Sequence, residues 1–129
     1  MKKDIDFSPV KDVHVVIAKD EDSWKVFLVN RNTKKLENVM ITSRGYGETK
    51  DEKQETSTLR HMIPYLESKE YALVESIDPS VFHLNNEYWV SYFIDGQVYD
   101  KKFIFLPDSI IEENLSYIEE LEMEGILHD

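Results

Sequence analysis

Asp95-Gly96 separates two runs in which apolar and polar residues alternate, Tyr88 to Ile94 and Gln97 to Leu106. A two-residue Asp-Gly break favours a type I′ turn, because its backbone twist matches that of the strands on either side. The chain is thereby committed to an antiparallel hairpin, and a register follows. Tyr88 is expected opposite Phe103 and Tyr92 opposite Tyr99 on one face, with Trp89 opposite Lys102 and Phe93 opposite Val98 on the other. One face belongs to a core. The other needs a cover or a partner.

The same period-two signal recurs upstream. Val13 to Lys19 is β-branched, with Val13, Val15 and Ile17 on one side. After the turn Asp20-Glu21-Asp22-Ser23, a strand from Trp24 to Val29 sets Trp24, Val26 and Leu28 against Lys25, Phe27 and Val29. Leu36 to Arg44 places Val39, Ile41 and Ser43 opposite Met40 and Thr42. Residues 45–56, with Gly45, Gly47 and a charged run, read as a mobile loop. A weaker strand runs from Thr56 to Ile63, ended by Pro64. Another runs from Tyr71 to Ile77, closed by Asp78-Pro79.

Beyond Pro107 the period changes. Ser109-Ile110-Ile111-Glu112 has the form of a capping box, and Ile111, Leu115 and Ile118 follow at helical spacing, with Gly125 as a stop. The expectation is an N-terminal arm over 1–12, a mostly β domain over 13–106 and a C-terminal helical segment over 107–129. That segment should pack on the domain, as a lid over the Trp89–Phe93 face, or on a second copy. About seven short strands with turn signals between them predict an immunoglobulin-like two-sheet β-sandwich.

The chain has 129 residues, 26 acidic against 15 basic, and a net charge of −11. A field of that sign repels polyanions, so nucleic acid is not an expected partner. Arg31, Lys34 and Lys35 make only a local basic patch. The absence of cysteine excludes disulfides, thiolate metal sites and a cysteine nucleophile. No apolar run follows the first lysines and none is long enough to span a membrane, so the cytoplasm is the expected compartment.

Chemistry-bearing patterns are sparse, and no cofactor is expected. His14, His61, His83 and His128 never fall two or four residues apart, so no local pair of metal ligands exists. Asp20-Glu21-Asp22 lacks the spaced ligands and glycine of a calcium loop. Gly45-Tyr46-Gly47 lacks the lysine and helix of a phosphate cradle. His14 reads as a half-buried strand histidine. His83, between Asp78-Pro79 and Asn85-Asn86-Glu87, is the best single site candidate, with loop anchoring as its simpler role.

Ile41-Thr42-Ser43-Arg44-Gly45-Tyr46-Gly47 and His83 to Tyr92 with Asp100 to Phe105 together resemble a group of small uncharacterised bacterial proteins. The resemblance spans most of the chain. Members of that group sometimes carry the label phenylalanyl-tRNA synthetase alpha subunit, which implies ATP, phenylalanine and tRNA as ligands. The residues do not supply that chemistry. A class II synthetase core holds ATP with an arginine–x–glutamate element, whereas Arg31, Arg44 and Arg60 are followed two positions on by Thr33, Tyr46 and Met62.

The leading functional expectation is a non-enzymatic interaction module that binds a protein or self-associates, with Trp89, Phe93, Lys102 and His83 as binding residues. The alternatives are an enzyme with a site assembled from His83, Glu87 and Asp100, and a synthetase-associated accessory protein.

Overall fold

The computed structural model describes residues 9–129, and all but the last four residues of the expected 1–12 arm lie outside that range. Ten strands are present among the described residues: β1 (Val13–Asp20), β2 (Ser23–Asn30), β3 (Leu36–Thr49), β4 (Glu52–Glu55), β5 (Leu59–Leu66), β6 (Tyr71–Ile77), β7 (Asn85–Ile94), β8 (Gln97–Phe105), β9 (Ser116–Ile118) and β10 (Met123–His128). They form two antiparallel five-stranded sheets. The first has the order β6-β2-β1-β10-β9. In the second, β3 lies between β7-β8 on one side and β4 and β5, end to end, on the other.

The sheets face each other across a core to which both contribute. Val13, Val15, Ile17, Val26 and Leu28 come from the first, and Leu36, Val39, Ile41, Tyr88, Tyr92 and Phe103 from the second. Burying each such side chain stabilises by about 1.5–3 kcal/mol relative to leaving it exposed. The central hairpin has the expected form. Asp95 and Gly96 have φ of 49° and 79°, and the pairs Tyr88–Phe103, Trp89–Lys102, Tyr92–Tyr99 and Phe93–Val98 are all in register. Tyr92 and Tyr99 stack with centroids 5.3 Å apart.

Three expectations are corrected. Residues 45–56 are not a loop: β3 continues to Thr49, turns through Lys50 and Asp51, both at positive φ, and returns as β4. Two left-handed residues make the tight turn, so the charges can stay solvated on a hairpin. Gly45 and Gly47 lie under Leu84, which an added β-carbon would approach to 3.4 and 3.2 Å. Pro64 does not end a strand either. It lies inside β5, which is an edge strand, where a missing N–H is tolerated.

The third correction is the C-terminal helix. Residues 107–129 contain one 3-10 turn, Glu112–Asn114, without a side-chain cap, and then the β9–β10 hairpin. Ser109 Oγ donates to the Leu106 carbonyl instead of capping a helix. The free edge of β1 provides the alternative: β10 pairs along it from Val15–His128 to Ala18–Gly125. That ladder satisfies two strands at once, whereas a helix rich in glutamate at its C-terminal end would work against its own dipole. Gly125 is therefore a packing residue and not a helix stop. A β-carbon there would come within 2.7 Å of Val16 Cγ1.

Four of the edge strands carry a recognised device against further pairing. β5 carries Pro64, β6 has a register shift, β9 is three residues long, and β8 bears Lys101 and Lys102. No helix among the described residues is long and apolar enough to cross a membrane.

Candidate functional site

The first candidate is the outer face of the second sheet. Strand alternation sends Tyr88, Val90 and Tyr92 into the core, so Glu87, Trp89, Ser91 and Phe93 point outward. Across the strands two rows form, Arg60–Thr42–Trp89–Lys102 and Met62–Met40–Ser91–Asp100. Large apolar side chains remain open to solvent there, among them Met62 at 74%, Met40 and Trp89 at 43%, and Phe93 at 38%. Trp89 is held in place. Its indole N–H donates to the Asp100 carboxylate, and Lys102 Nζ lies 4.7 Å from the ring centroid, a cation–π contact.

Beside this patch a second latch closes the same face. Arg44 Nε donates to Glu87 Oε2 at 3.2 Å, its guanidinium lies 4.6 Å from the Tyr46 ring centre, and the Tyr46 hydroxyl donates to Glu87 Oε1 at 3.4 Å. The Glu87 carboxylate raises the Arg44 pKa, and burial followed by the same charge raises that of Tyr46.

Trp89, Phe93 and Lys102 thus share one face, as their spacing requires. His83 does not belong to it. It sits in the exposed turn before β7, its Nε2 2.6 Å from Gln54 Oε1 on β4. Nor are His83, Glu87 and Asp100 assembled into a constellation. Each is engaged elsewhere: His83 with Gln54, Glu87 with Arg44 and Tyr46, and Asp100 with Trp89.

The outer face of the first sheet is covered over β1 and β2, while Tyr71 and Leu73 on the edge strand β6 stay exposed. Ile118 and Leu121 from the β9–β10 hairpin bury Val16, Ala18, Phe27 and Val29 in a second apolar cluster. Arg31, just after β2, grips Glu120 in the hairpin turn. The C-terminal segment is therefore committed to the opposite side of the molecule and is no lid for Trp89 and Phe93.

The second candidate lies between the sheets at their β5–β6 side, and the sequence did not single it out. Glu75 on β6 accepts from three strands of the opposing sheet. The Ser43 hydroxyl is 2.8 Å from Oε1, His61 Nε2 is 2.7 Å from the same oxygen, and the Tyr88 hydroxyl is 3.3 Å from Oε2. A bulge aims the carboxylate inward. Phe27 pairs with Leu73 but Val26 pairs with Glu75, so Val74 is the extra residue. Without it Glu75 would oppose Lys25 and face solvent. Bulges re-aim side chains in this way beside functional sites. Burial, then the Glu75 charge, pushes the Tyr88 hydroxyl far above its ordinary pKa, so it stays a protonated donor.

Beside Glu75 opens a cleft of about 270 Å³, lined among others by Ser43, Thr56, Ser57, Ser76, Asn86 and Tyr88. The arrangement does not activate a nucleophile. Ser43 and His61 both turn to the carboxylate, and the nearby Gly45 N–H is already donated to Thr56 Oγ1 at 2.7 Å. No group of three His, Asp or Glu residues converges in a metal-binding arrangement among the described residues.

Compared with known proteins, the chain matches no family model, no curated protein and no solved structure at a significant level.

Proposed function

We propose that the chain is a non-enzymatic interaction domain that docks another protein on the outer face of its second sheet. One contrast carries the reading. The chain covers Val16, Ala18, Phe27 and Val29 on the outer face of its first sheet with its own hairpin, leaving Tyr71 and Leu73 open only at the β6 edge, whereas Met40, Met62, Trp89 and Phe93 stay open across the second sheet. An apolar patch with a pre-oriented tryptophan at its centre is the kind of surface from which binding hot spots are made.

The rim indicates the partner's chemistry. Arg60 and Lys102 stand at the two ends of the Trp89 row, and among the described residues neither forms an ion pair. On a molecule of net charge −11 this row is a local basic spot. It suits a protein surface that is apolar in the middle and acidic at the edge.

An immunoglobulin-like frame is part of the proposal. Its support is the strand order β6-β2-β1 against β5-β3-β7-β8, with the β9–β10 hairpin added to the free edge of β1. Such a frame is a scaffold and assigns no activity.

Photocrosslinking tests the docking face. A photoreactive residue at position 62 should capture a discrete protein in cells, and Trp89→Ala with Phe93→Ala should abolish the capture. The same residue at Tyr117, exposed on the β9–β10 hairpin of the first sheet, should not capture it. Equal capture from both positions, or capture that survives the double variant, overturns the reading.

A further inference from the structure

We propose that the cleft beside Glu75 is a binding site for a small aliphatic ammonium ion, with the nitrogen seated on Glu75 Oε2. The site is separate from the docking face and does not depend on it.

The argument starts from the charge balance around Glu75. Its side chain is 14% exposed, and a carboxylate so far removed from water is costly unless a cation answers it. Among the described residues no lysine or arginine does so, and the one cation-forming partner, the His61 imidazole 2.7 Å from Oε1, answers the charge only when protonated and leaves Oε2 to the cleft. The nearest candidate, Arg44, lines the same cleft but donates to Glu87 on the outer face. Ser43 and Tyr88 contribute neutral hydroxyls, which stabilise the ionised carboxylate without cancelling its charge.

The acceptor count favours the same ligand. A carboxylate offers about four lone-pair positions. Oε1 uses two, for Ser43 and His61, while Oε2 receives only Tyr88, at the long distance of 3.3 Å. Oε2 therefore has room for a strong donor, and Glu75 borders the cleft. An ammonium group brings three donors. The first can meet Oε2, and the Ser43 hydroxyl is an acceptor on the same wall. Asp78, also on the wall, adds a second negative charge, although its carboxylate already accepts the Ser80 N–H at 2.8 Å.

Shape limits the ligand's size. A volume of about 270 Å³ is at the small end for ligand pockets, so the body is a short chain and not a drug-sized molecule. Ile77, Val81 and Leu59 supply the apolar surface along which a few methylenes would lie. An anion is disfavoured by Glu75 and Asp78, and a neutral diol would bring no positive charge to Oε2.

The β6 bulge gives this arrangement its physical cost. It interrupts a ladder in the first sheet in order to turn a glutamate toward the interior, where an apolar residue would pack better. A site is the reason the chain offers for that exchange.

The test uses putrescine and ethanolamine as probes, with 1,4-butanediol as the uncharged isostere of putrescine, followed by NMR on the full chain. Both amines are expected to give saturable shifts centred on Ser43, Glu75, Ser76 and Tyr88, and the diol none. Glu75→Gln is expected to weaken amine binding about tenfold or more. Should that variant unfold, Ser57→Trp, at an exposed position on the cleft, fills the space without touching Glu75 and should abolish binding with the melting temperature unchanged. The proposal is overturned by diol binding equal to that of putrescine, by no saturable shift at about 10 mM amine, or by shifts spread over exposed acids such as Glu21 and Asp22. Undiminished binding to Ser57→Trp overturns it as well.

Discussion

Arg31 and Glu120 form a two-pronged ion pair, Nε to Oε2 at 2.6 Å and Nη2 to Oε1 at 3.0 Å, across 89 residues of chain. It pins the turn of the β9–β10 hairpin over the outer face of the first sheet. Arg31 holds the Glu120 carboxyl below the ordinary glutamate value of 4.5. Its stabilisation is therefore present above that value and is lost as pH falls through the lower, folded-state pKa. Both side chains keep some exposure to water, so screening limits the pair to about 1 kcal/mol. Glu120→Gln should lower stability by that amount at pH 7 and show a smaller loss than wild type on acidification. Urea unfolding at pH 7 and pH 3.5 measures both.

Gly125→Ala should cost more, about 1–3 kcal/mol, because overpacking a closed core forces neighbours to move. The added methyl meets Val16 Cγ1 at 2.7 Å, Ile118 Cγ1 at 3.2 Å and the Ile17 carbonyl at 3.2 Å. Amide exchange should accelerate in β10 and β9 before it does so in β7 and β8. A variant as stable as wild type would mean that β10 does not lie against β1 as described.

Truncation after Pro107 removes β9 and β10 together. It leaves the edge of β1 unpaired and uncovers Val16, Ala18, Phe27 and Val29. An open apolar edge of this kind pairs with other chains. The shortened protein should lose its cooperative thermal transition or aggregate, and a monomer with the original melting temperature would contradict the fold.

His14 sets a second pH response. Its Nδ1 is buried without a hydrogen-bond partner, 3.8 Å from Asp129 Oδ1. Burial first, then the Arg31 charge, lowers its pKa below the ordinary 6.5. The unfolded chain therefore binds a proton before the folded one does. Stability is unaffected by His14 above 6.5, falls as pH drops below it, and levels off beneath the folded-state value. His14→Val should flatten the stability profile between about pH 7 and pH 5. An unchanged slope would show that His14 is protonated equally in both states.

At the hairpin tip, Gly96 has φ of +79° and nothing within 4 Å of an added β-carbon. Gly96→Ala should cost about 1 kcal/mol from backbone strain alone, and Gly96→Asn less, since asparagine tolerates the left-handed region. Neither should affect capture at the docking face if the register of Trp89 and Lys102 holds. Chemical denaturation of the two variants gives the comparison.

Much of the second sheet was legible in the chain. Tyr88, Tyr92 and Phe103 could be assigned to the core, and Trp89 and Phe93 to the outside, from alternation and the Asp95-Gly96 turn alone. Both signals act between near neighbours, so they survive without knowledge of the rest of the molecule. The covered state of Phe27 and Val29 was not legible, because nothing within β2 reveals that Ile118 and Leu121 return to cover them.

The sequence by itself determined seven strand positions, the hairpin register and the sidedness of the aromatic face, since local period and turn chemistry specify each of them. Only the tertiary structure decided the fate of residues 107–129, where Ile111, Leu115 and Ile118 have helical spacing but the vacant edge of β1 supplies a full ladder of hydrogen bonds. It also decided the direction of Glu75. The alternation Leu73, Glu75, Ile77 sets all three on one face, and one extra residue at Val74 divides them. Side-chain direction in a strand depends on the partner's register, and β2 lies about 45 residues away from β6 in the chain.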